Sequence, residues 1–79
     1  MDFNSDKVDE AVLALLWLTT HDENEFGGAR AWKGHDWDAL DRLHEKGYIS
    51  DPKSKAKSVV LSPEGLAKSR ELFQMMFGA

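Results

Sequence analysis

The stretch "DWDALDRLHEKGYI", residues 36–49, has the outline of a helix followed by a short extended segment. Asp36 is a favourable N-cap, because its carboxylate can accept a hydrogen bond from an unpaired N–H group of the first helical turn. Gly47 follows Lys46 at the position where glycine commonly ends a helix. Helical spacing predicts a core face made of Trp37, Leu40, Leu43 and His44, and an outward face made of Asp38, Asp41, Arg42 and Glu45.

The residues before this stretch predict one helix and one loop. A run rich in leucine and alanine, residues 11–18, favours a helix from about Asp6 to Thr20. Residues 20–34 follow with three glycines and many polar side chains. We expect a loop there, with at most a turn around residues 29–32.

The residues after this stretch predict a β-hairpin and a final helix. "YIS", residues 48–50, is short and extended, and the β-branched "SVVL", residues 58–61, favours a second strand. The polar segment between them, residues 51–57, begins with an Asp-Pro turn signal and carries the lysines of the hairpin tip. Ser62 is a favourable cap for the last helix, and Pro63 occupies the first helical position, where proline is tolerated.

The order helix, loop, helix, hairpin, helix predicts a small α+β domain that occupies residues 1–79 as one unit. "LDRLHEKGYI" (residues 40–49) followed by "VVLSPEGLAKS" (residues 59–69) resembles the second half of many bacterial winged-helix regulators. In those proteins a helix closed by glycine precedes a wing and a final helix. We therefore expect a winged-helix-like domain with three main helices and one β-hairpin.

A second resemblance covers nearly the whole chain. "AWKGHDWDALDRLHEKGYISDP" (residues 31–52), together with "KAKSVVLSPEG" (residues 55–65), is similar to a family of short, mainly bacterial proteins known as a domain of unknown function. The similarity extends to "KVDEAVLALLWLTTHD" (residues 7–22). The family implies no mechanism, so the resemblance transfers no catalytic or binding residue to this chain.

Composition narrows the classes of protein to consider. The chain has no cysteine, which excludes disulfides and thiolate metal sites and suits the reducing cytoplasm that we expect as its location. Its longest apolar run, residues 11–18, is far shorter than the ~20 residues that cross a bilayer. His21, His35 and His44 lack metal-ligand spacing, so we predict no metal and no other cofactor.

An enzyme is not expected from these residues. The chain has no glycine-rich phosphate loop and no nucleophile elbow, and its serines and threonines fall at caps, turns or helix ends. Three short helices should also leave little room for a pocket of roughly 300 Å³. We therefore expect a small binding module, acting most plausibly through protein–protein interaction.

A small DNA-binding regulator is the alternative function. The net charge of −4 opposes binding to nucleic acid, and the outward acids of the helix at residues 37–46 would be repelled by phosphates. Cations are nevertheless concentrated further along the chain. If the tip of the hairpin is extended, its alternating lysines share one side and can contact phosphates. The candidate nucleic-acid contacts are Lys53, Lys55, Lys57 and Arg42, although a merely solvated loop is the simpler interpretation.

Two tryptophans flank the polar "KGHD" at residues 33–36. The simpler interpretation packs Trp32 and Trp37 against the core, because aromatic side chains dominate small cores. The functional hypothesis places Trp32 and Lys33 at an exposed corner that contacts a protein partner, since tryptophan is enriched in interface hot spots.

The terminal helices carry more apolar surface than one small core requires. Surplus apolar surface on two helices is commonly covered across a two-fold axis. We therefore predict a homodimer that uses part of the first helix together with Leu72, Met75, Met76 and Phe77. The competing account is that this surface covers the gap left by the missing second helix of a winged-helix domain.

Overall fold

A computed structural model describes residues 2–21 and 28–78. Over this part of the chain, three helices pack on one three-stranded antiparallel sheet. The helices are α1 (Ser5–Leu18), α2 (Trp37–Glu45) and α3 (Pro63–Phe77), and the strands are β1 (Thr20–His21), β2 (Ala29–Trp32) and β3 (Ser58–Leu61). The predicted α+β class and the order helix, helix, hairpin, helix are confirmed.

Local capping signals account for the starts of α2 and α3. The Asp36 carboxylate accepts a hydrogen bond from the Ala39 N–H at 3.1 Å, and the Ser62 hydroxyl accepts one from the Gly65 N–H at 3.0 Å. Each bond satisfies an N–H that has no partner within its own helix. Gly47 ends the turn after α2 with φ of 81°, a conformation that side chains with a Cβ rarely adopt.

The segment predicted as a loop contains strand β2, so that expectation is wrong. Ala29 and Ala31 are buried, while Arg30 and Trp32 are exposed, which is the alternation of a strand with one covered face. The strand pairs with β1 on one side and with β3 on the other, Ala31 lying opposite Val59. Its two inward residues are alanines, too small to give the apolar signal by which a strand is recognised.

The predicted hairpin places residues 48–50 beside β3. Ile49 forms an isolated bridge with Leu61, the Ser50 N–H donates to the Val60 carbonyl at 2.8 Å, and the Ser62 N–H donates to the Tyr48 carbonyl at 3.0 Å. Strand β3 therefore lies between β2 and this short segment. The predicted pairing of residues 48–50 with β3 is thus present, and residues 29–32, before α2, form the strand β2.

Gly65 permits a close approach between the start of α3 and residues 48–50. A Cβ at position 65 would collide with the backbone of Tyr48, including its carbonyl oxygen. The first turn of α3 therefore approaches the segment 48–50 at a distance that only glycine permits.

The core lies between the helices and the inner face of the sheet. Leu13 and Leu16 of α1, Leu40 and Leu43 of α2, and Leu72 of α3 all belong to it, together with Val59 and Leu61 of β3. Among residues 2–21 and 28–78, no helix has the length and apolar character needed to cross a membrane.

Helix α2 is rotated relative to the sequence-based expectation. Ala39, Leu40 and Leu43 are its buried residues, whereas Trp37 is 57% exposed and His44 is also exposed. The interpretation that packs Trp37 into the core is therefore wrong. The rotation brings Arg42, predicted to face outward, against α1.

Candidate binding surface on the sheet

The sheet has one face covered by helices and one face open over the described part of the chain. Side chains alternate along a strand, so the residues next to the buried alanines of β2 point to the open side. Cross-strand pairing places Val60 opposite Arg30 and Ser58 opposite Trp32. We call this side the outer sheet face, formed by His21, Arg30, Trp32, Ser58 and Val60.

Two aromatic rings lie together on the outer sheet face. The rings of His21 and Trp32 have centroids 5.4 Å apart and planes inclined by 30°. Trp32 is nevertheless 53% exposed, so the interpretation that packs it into the core is wrong. The Trp32 ring is thus held by a neighbour while more than half of its surface stays open.

Lys33 connects the sheet to the polar segment before β3. Its Nζ donates to the carbonyl oxygens of Pro52 at 2.7 Å and Ser54 at 2.6 Å. The ammonium also lies 5.9 Å from the centroid of the Trp37 ring, within the range of a cation–π contact. Lys33 therefore holds residues 51–57, which we call the lysine loop, against the end of β2.

The lysine loop displays three exposed cations, Lys53, Lys55 and Lys57. It consists of turns and bends between Pro52 and Lys57, so the extended conformation in which its lysines would share one side is not present. The Lys57 carbonyl accepts a hydrogen bond from the Lys33 N–H at 3.2 Å, which continues the pairing of β2 with β3 into the loop. The backbone of the lysine loop therefore joins the sheet at the end of β2 where Trp32 lies.

Arg42 has a different environment from these lysines. Its Nε donates to Oδ1 and Oδ2 of Asp9 at 2.9 and 2.8 Å, and its Nη2 lies 2.8 Å from Oδ1. Lys46 Nζ reaches Oδ2 of the same carboxylate at 3.2 Å. The predicted outward position of Arg42 is therefore wrong, and its guanidinium is committed to an acid within the protein.

The carboxylate of Asp9 is 1% exposed and ionised in spite of its burial. Burial alone would raise the pKa of Asp9, but the hydrogen bonds and charges of Arg42 and Lys46 outweigh it and hold that pKa below its ordinary value. The hydrogen bond to Asp9 likewise raises the pKa of Arg42. This cluster, Asp9–Arg42–Lys46, joins α1 to α2.

The histidines have different surroundings. His44 Nδ1 lies 3.0 Å from the Ile49 carbonyl, and burial lowers the pKa of His35. Within residues 2–21 and 28–78, no three His, Cys, Asp or Glu side chains are placed to share a metal ion.

Comparison with known proteins identifies the family. A family model described as "Domain of unknown function (DUF6429)" matches residues 4–79. This chain belongs to that family. It is also 56% identical over 77 residues to "Uncharacterized protein y4hR" of Sinorhizobium fredii (strain NBRC 101917 / NGR234), covering 98% of this chain and 97% of that protein. No solved structure matches.

The predicted resemblance to a short family of unknown function is confirmed, and the rhizobial relative fits its bacterial character. The match spans both the outer sheet face and the cluster around Asp9. The family description assigns no role to them.

This DUF6429 domain also has a cavity that the sequence did not lead us to expect. A space of about 370 Å³ opens between α1, the end of α2 and α3. Its lining combines leucines with charged groups, of which Asp6 and Asp9 both pair with Lys46. The expectation that three short helices leave no such room is wrong.

The residues of the predicted dimer interface separate into two groups. Leu72 is 3% exposed and belongs to the core, so its assignment to a dimer interface is wrong. Met75, Met76 and Phe77 are 72%, 40% and 55% exposed. Sequence spacing places all four residues on one apolar arc of α3. In the structure, Leu72 at one edge of that arc packs into the core, and the other three residues are exposed.

Proposed function

We propose that this chain is a small non-catalytic binding module that presents the outer sheet face and the lysine loop to a macromolecular partner. The observation that carries the proposal is Trp32, a large aromatic side chain held by His21 yet 53% exposed on an uncovered face. Burial of one tryptophan contributes a large share of the energy of many interfaces. We keep the cytoplasm as the expected location.

A protein partner at Trp32 and Lys33 is the form of this proposal that the sequence predicts. Lys33 supports it indirectly, because its ammonium already donates to two loop carbonyls. Its role in binding would be to hold the lysine loop beside Trp32. The direct contacts would then come from Trp32 itself and from the exposed loop lysines.

Reading of duplex DNA by α2 has less support than this surface. Asp38 and Glu45 are exposed on α2, and Arg42, the cation expected to face DNA, is paired with Asp9. Carboxylates repel phosphates, and base edges in the major groove are typically read by arginine, lysine, asparagine or glutamine. The alternative of a DNA-binding regulator therefore rests on the lysine loop alone.

Self-association is the second candidate property. Met75, Met76 and Phe77 leave an exposed apolar surface at the end of α3, and Leu18 is 65% exposed at the end of α1. We propose that a second copy of the chain covers this surface, as the sequence predicts. Leu72 is excluded from that interface.

A pull-down from a lysate of Sinorhizobium fredii, which encodes the relative described above, tests the binding surface. Wild-type chain is compared with Trp32→Ala and with Phe3→Ala, a control that removes an exposed apolar side chain outside both proposed surfaces. Circular dichroism establishes that both variants are folded. The proposal predicts that Trp32→Ala loses the captured partner and that Phe3→Ala keeps it; equal capture by the two variants would refute it.

A further inference from the structure

The outer sheet face combines an aromatic ring with positive charge. Arg30 neighbours Trp32 on β2 and is exposed, and none of the outward side chains of the described strands is an acid. Lys33 fastens the lysine loop to the same end of the sheet. A chain with net charge −4 therefore carries Arg30 on the outer sheet face, and Lys33, Lys53, Lys55 and Lys57 in or against the loop that is fastened to that sheet.

We propose that this surface binds single-stranded nucleic acid, with an unpaired base stacked on Trp32 and backbone phosphates contacted by Arg30 and the lysine loop. The inference rests on the proposed function, since it names the partner of that same surface. Proteins that bind single strands combine aromatic stacking platforms with a positively charged path for the backbone.

The geometry favours a single strand over a duplex. Bases in a duplex are stacked on one another, so their faces are closed to a protein ring, whereas unpaired bases expose a face that can stack on tryptophan. The cations alone would attract any polyanion, including an acidic polypeptide. Trp32 discriminates between these partners, because every nucleobase offers a flat π-surface of matching size and an acidic side chain does not.

Arg30 and the loop lysines would contact the backbone phosphates of the ligand. Phosphate contacts give affinity that depends on salt and is independent of base sequence. The loop is not free of negative charge, since the Asp51 carboxylate accepts a hydrogen bond from the Lys53 N–H at its base. We therefore expect modest affinity, a clear salt dependence and little preference for sequence.

Fluorescence anisotropy with labelled oligonucleotides tests the proposal on the full chain. The probes are a mixed-sequence single strand of about 12 nucleotides, as RNA and as DNA, and the matching DNA duplex. Each is titrated at about 50 and 200 mM salt, and polyglutamate serves as a competitor. We expect single strands to bind about ten-fold more tightly than the duplex and to resist displacement by polyglutamate.

Variants at Trp32 separate stacking from simple apolar contact. Trp32→Leu should weaken single-strand binding about ten-fold, whereas Trp32→Phe should retain most of it, since a ring is what stacks. Arg30→Glu should also weaken binding. Lys7→Glu makes the same change of charge on an exposed residue of α1 and should leave binding within about two-fold.

Four results would overturn the inference. They are no binding of single strands, equal binding of duplex and single strand, unchanged affinity in Trp32→Leu, and displacement by polyglutamate, which would identify an acidic polypeptide as the better ligand. The proposed function is tested separately from this inference. A partner that survives nuclease treatment of the lysate and is lost with Trp32→Ala would support the binding module and exclude nucleic acid as its ligand.

Discussion

The cations between residues 42 and 57 divide into two regions with opposite environments. Arg42 of α2 and Lys46, which caps the end of that helix, share the buried carboxylate of Asp9. Lys53 and Lys55, a few residues later, are exposed and form no ion pair with an acid in the described part of the chain. A cation that is paired with an acid of the same protein is not available to a ligand. A local excess of positive charge in a sequence therefore gives only an upper limit on the positive charge that a ligand can contact.

The apolar residues of α3 are likewise divided between buried and exposed positions. Leu72 lies in the core at 3% exposure, and Met75, less than one turn later, is 72% exposed. Truncation of Leu72 to alanine should therefore lower the free energy of unfolding by about 2–5 kcal/mol, the usual loss for a buried leucine. Met75→Ala should change it by less than about 0.5 kcal/mol. Urea denaturation of both variants measures the difference, and similar losses would contradict the assignment of Leu72 to the core.

Among the cations, Arg42→Ala should destabilise the fold and Lys55→Ala should not. Loss of Arg42 leaves a buried carboxylate with Lys46 as its remaining partner. We expect a clear loss in the free energy of unfolding, smaller than that for a fully buried pair because Arg42 is partly solvated and Lys46 remains. Lys55→Ala should cost less than about 0.5 kcal/mol.

The same denaturation experiment evaluates both cation variants, and Arg42→Lys adds a further comparison. It retains the charge but loses the two-point contact of Nε with the carboxylate, so its stability should fall between those of wild type and Arg42→Ala. If Arg42→Ala proves as stable as Lys55→Ala, the cluster around Asp9 contributes nothing to folding.

The sequence predicted the parts of the fold that local signals determine. The caps Asp36 and Ser62 and the strand at residues 58–61 are of this kind, since each is recognised within a few neighbouring residues. Strand β2 was missed because its pairing with β3 joins residues far apart in the sequence, such as Ala29 with Leu61, which are 32 positions apart. A propensity computed over a short window contains no information about such a partner.

The candidate site shows the same limit. Arg42 was predicted to face outward because helical spacing placed Trp37, Leu40, Leu43 and His44 on the core face. Its contact with α1 depends on Asp9, which lies 33 residues earlier. The exposure of Trp32 was raised as a hypothesis from its position beside polar residues, but Arg30 was missed, because only the register of β2 places it on the same face.

Acid should weaken the cluster around Asp9 in a defined window. The pKa of Asp9 is depressed in the folded protein, so its contribution to stability is present above the ordinary value of 3.8 and is lost as pH falls through the lower, folded value. Urea denaturation between neutral pH and acid should therefore show a steeper loss below that value for wild type than for Asp9→Asn. A curve for Asp9→Asn parallel to that of the wild type would exclude the depressed pKa.

Self-association is the last property to test, and the variants that probe it should have the smallest effect on folding. It also gives the sharpest test of the exposed apolar residues. Trp32 and Phe77 are both about half exposed, on the sheet and at the end of α3. If a second copy of the chain covers the α3 surface, sedimentation at tens of micromolar should give about twice the monomer mass of 8.9 kDa. Phe77→Lys should restore the monomer with little change in the free energy of unfolding of the monomer itself, since the side chain is solvated there. Trp32→Lys, which places the same charge on the sheet, should leave the dimer intact, because the two surfaces are assigned to different partners. A wild-type chain that sediments as a monomer would leave Met75, Met76 and Phe77 as solvent-exposed residues of a monomeric binding module.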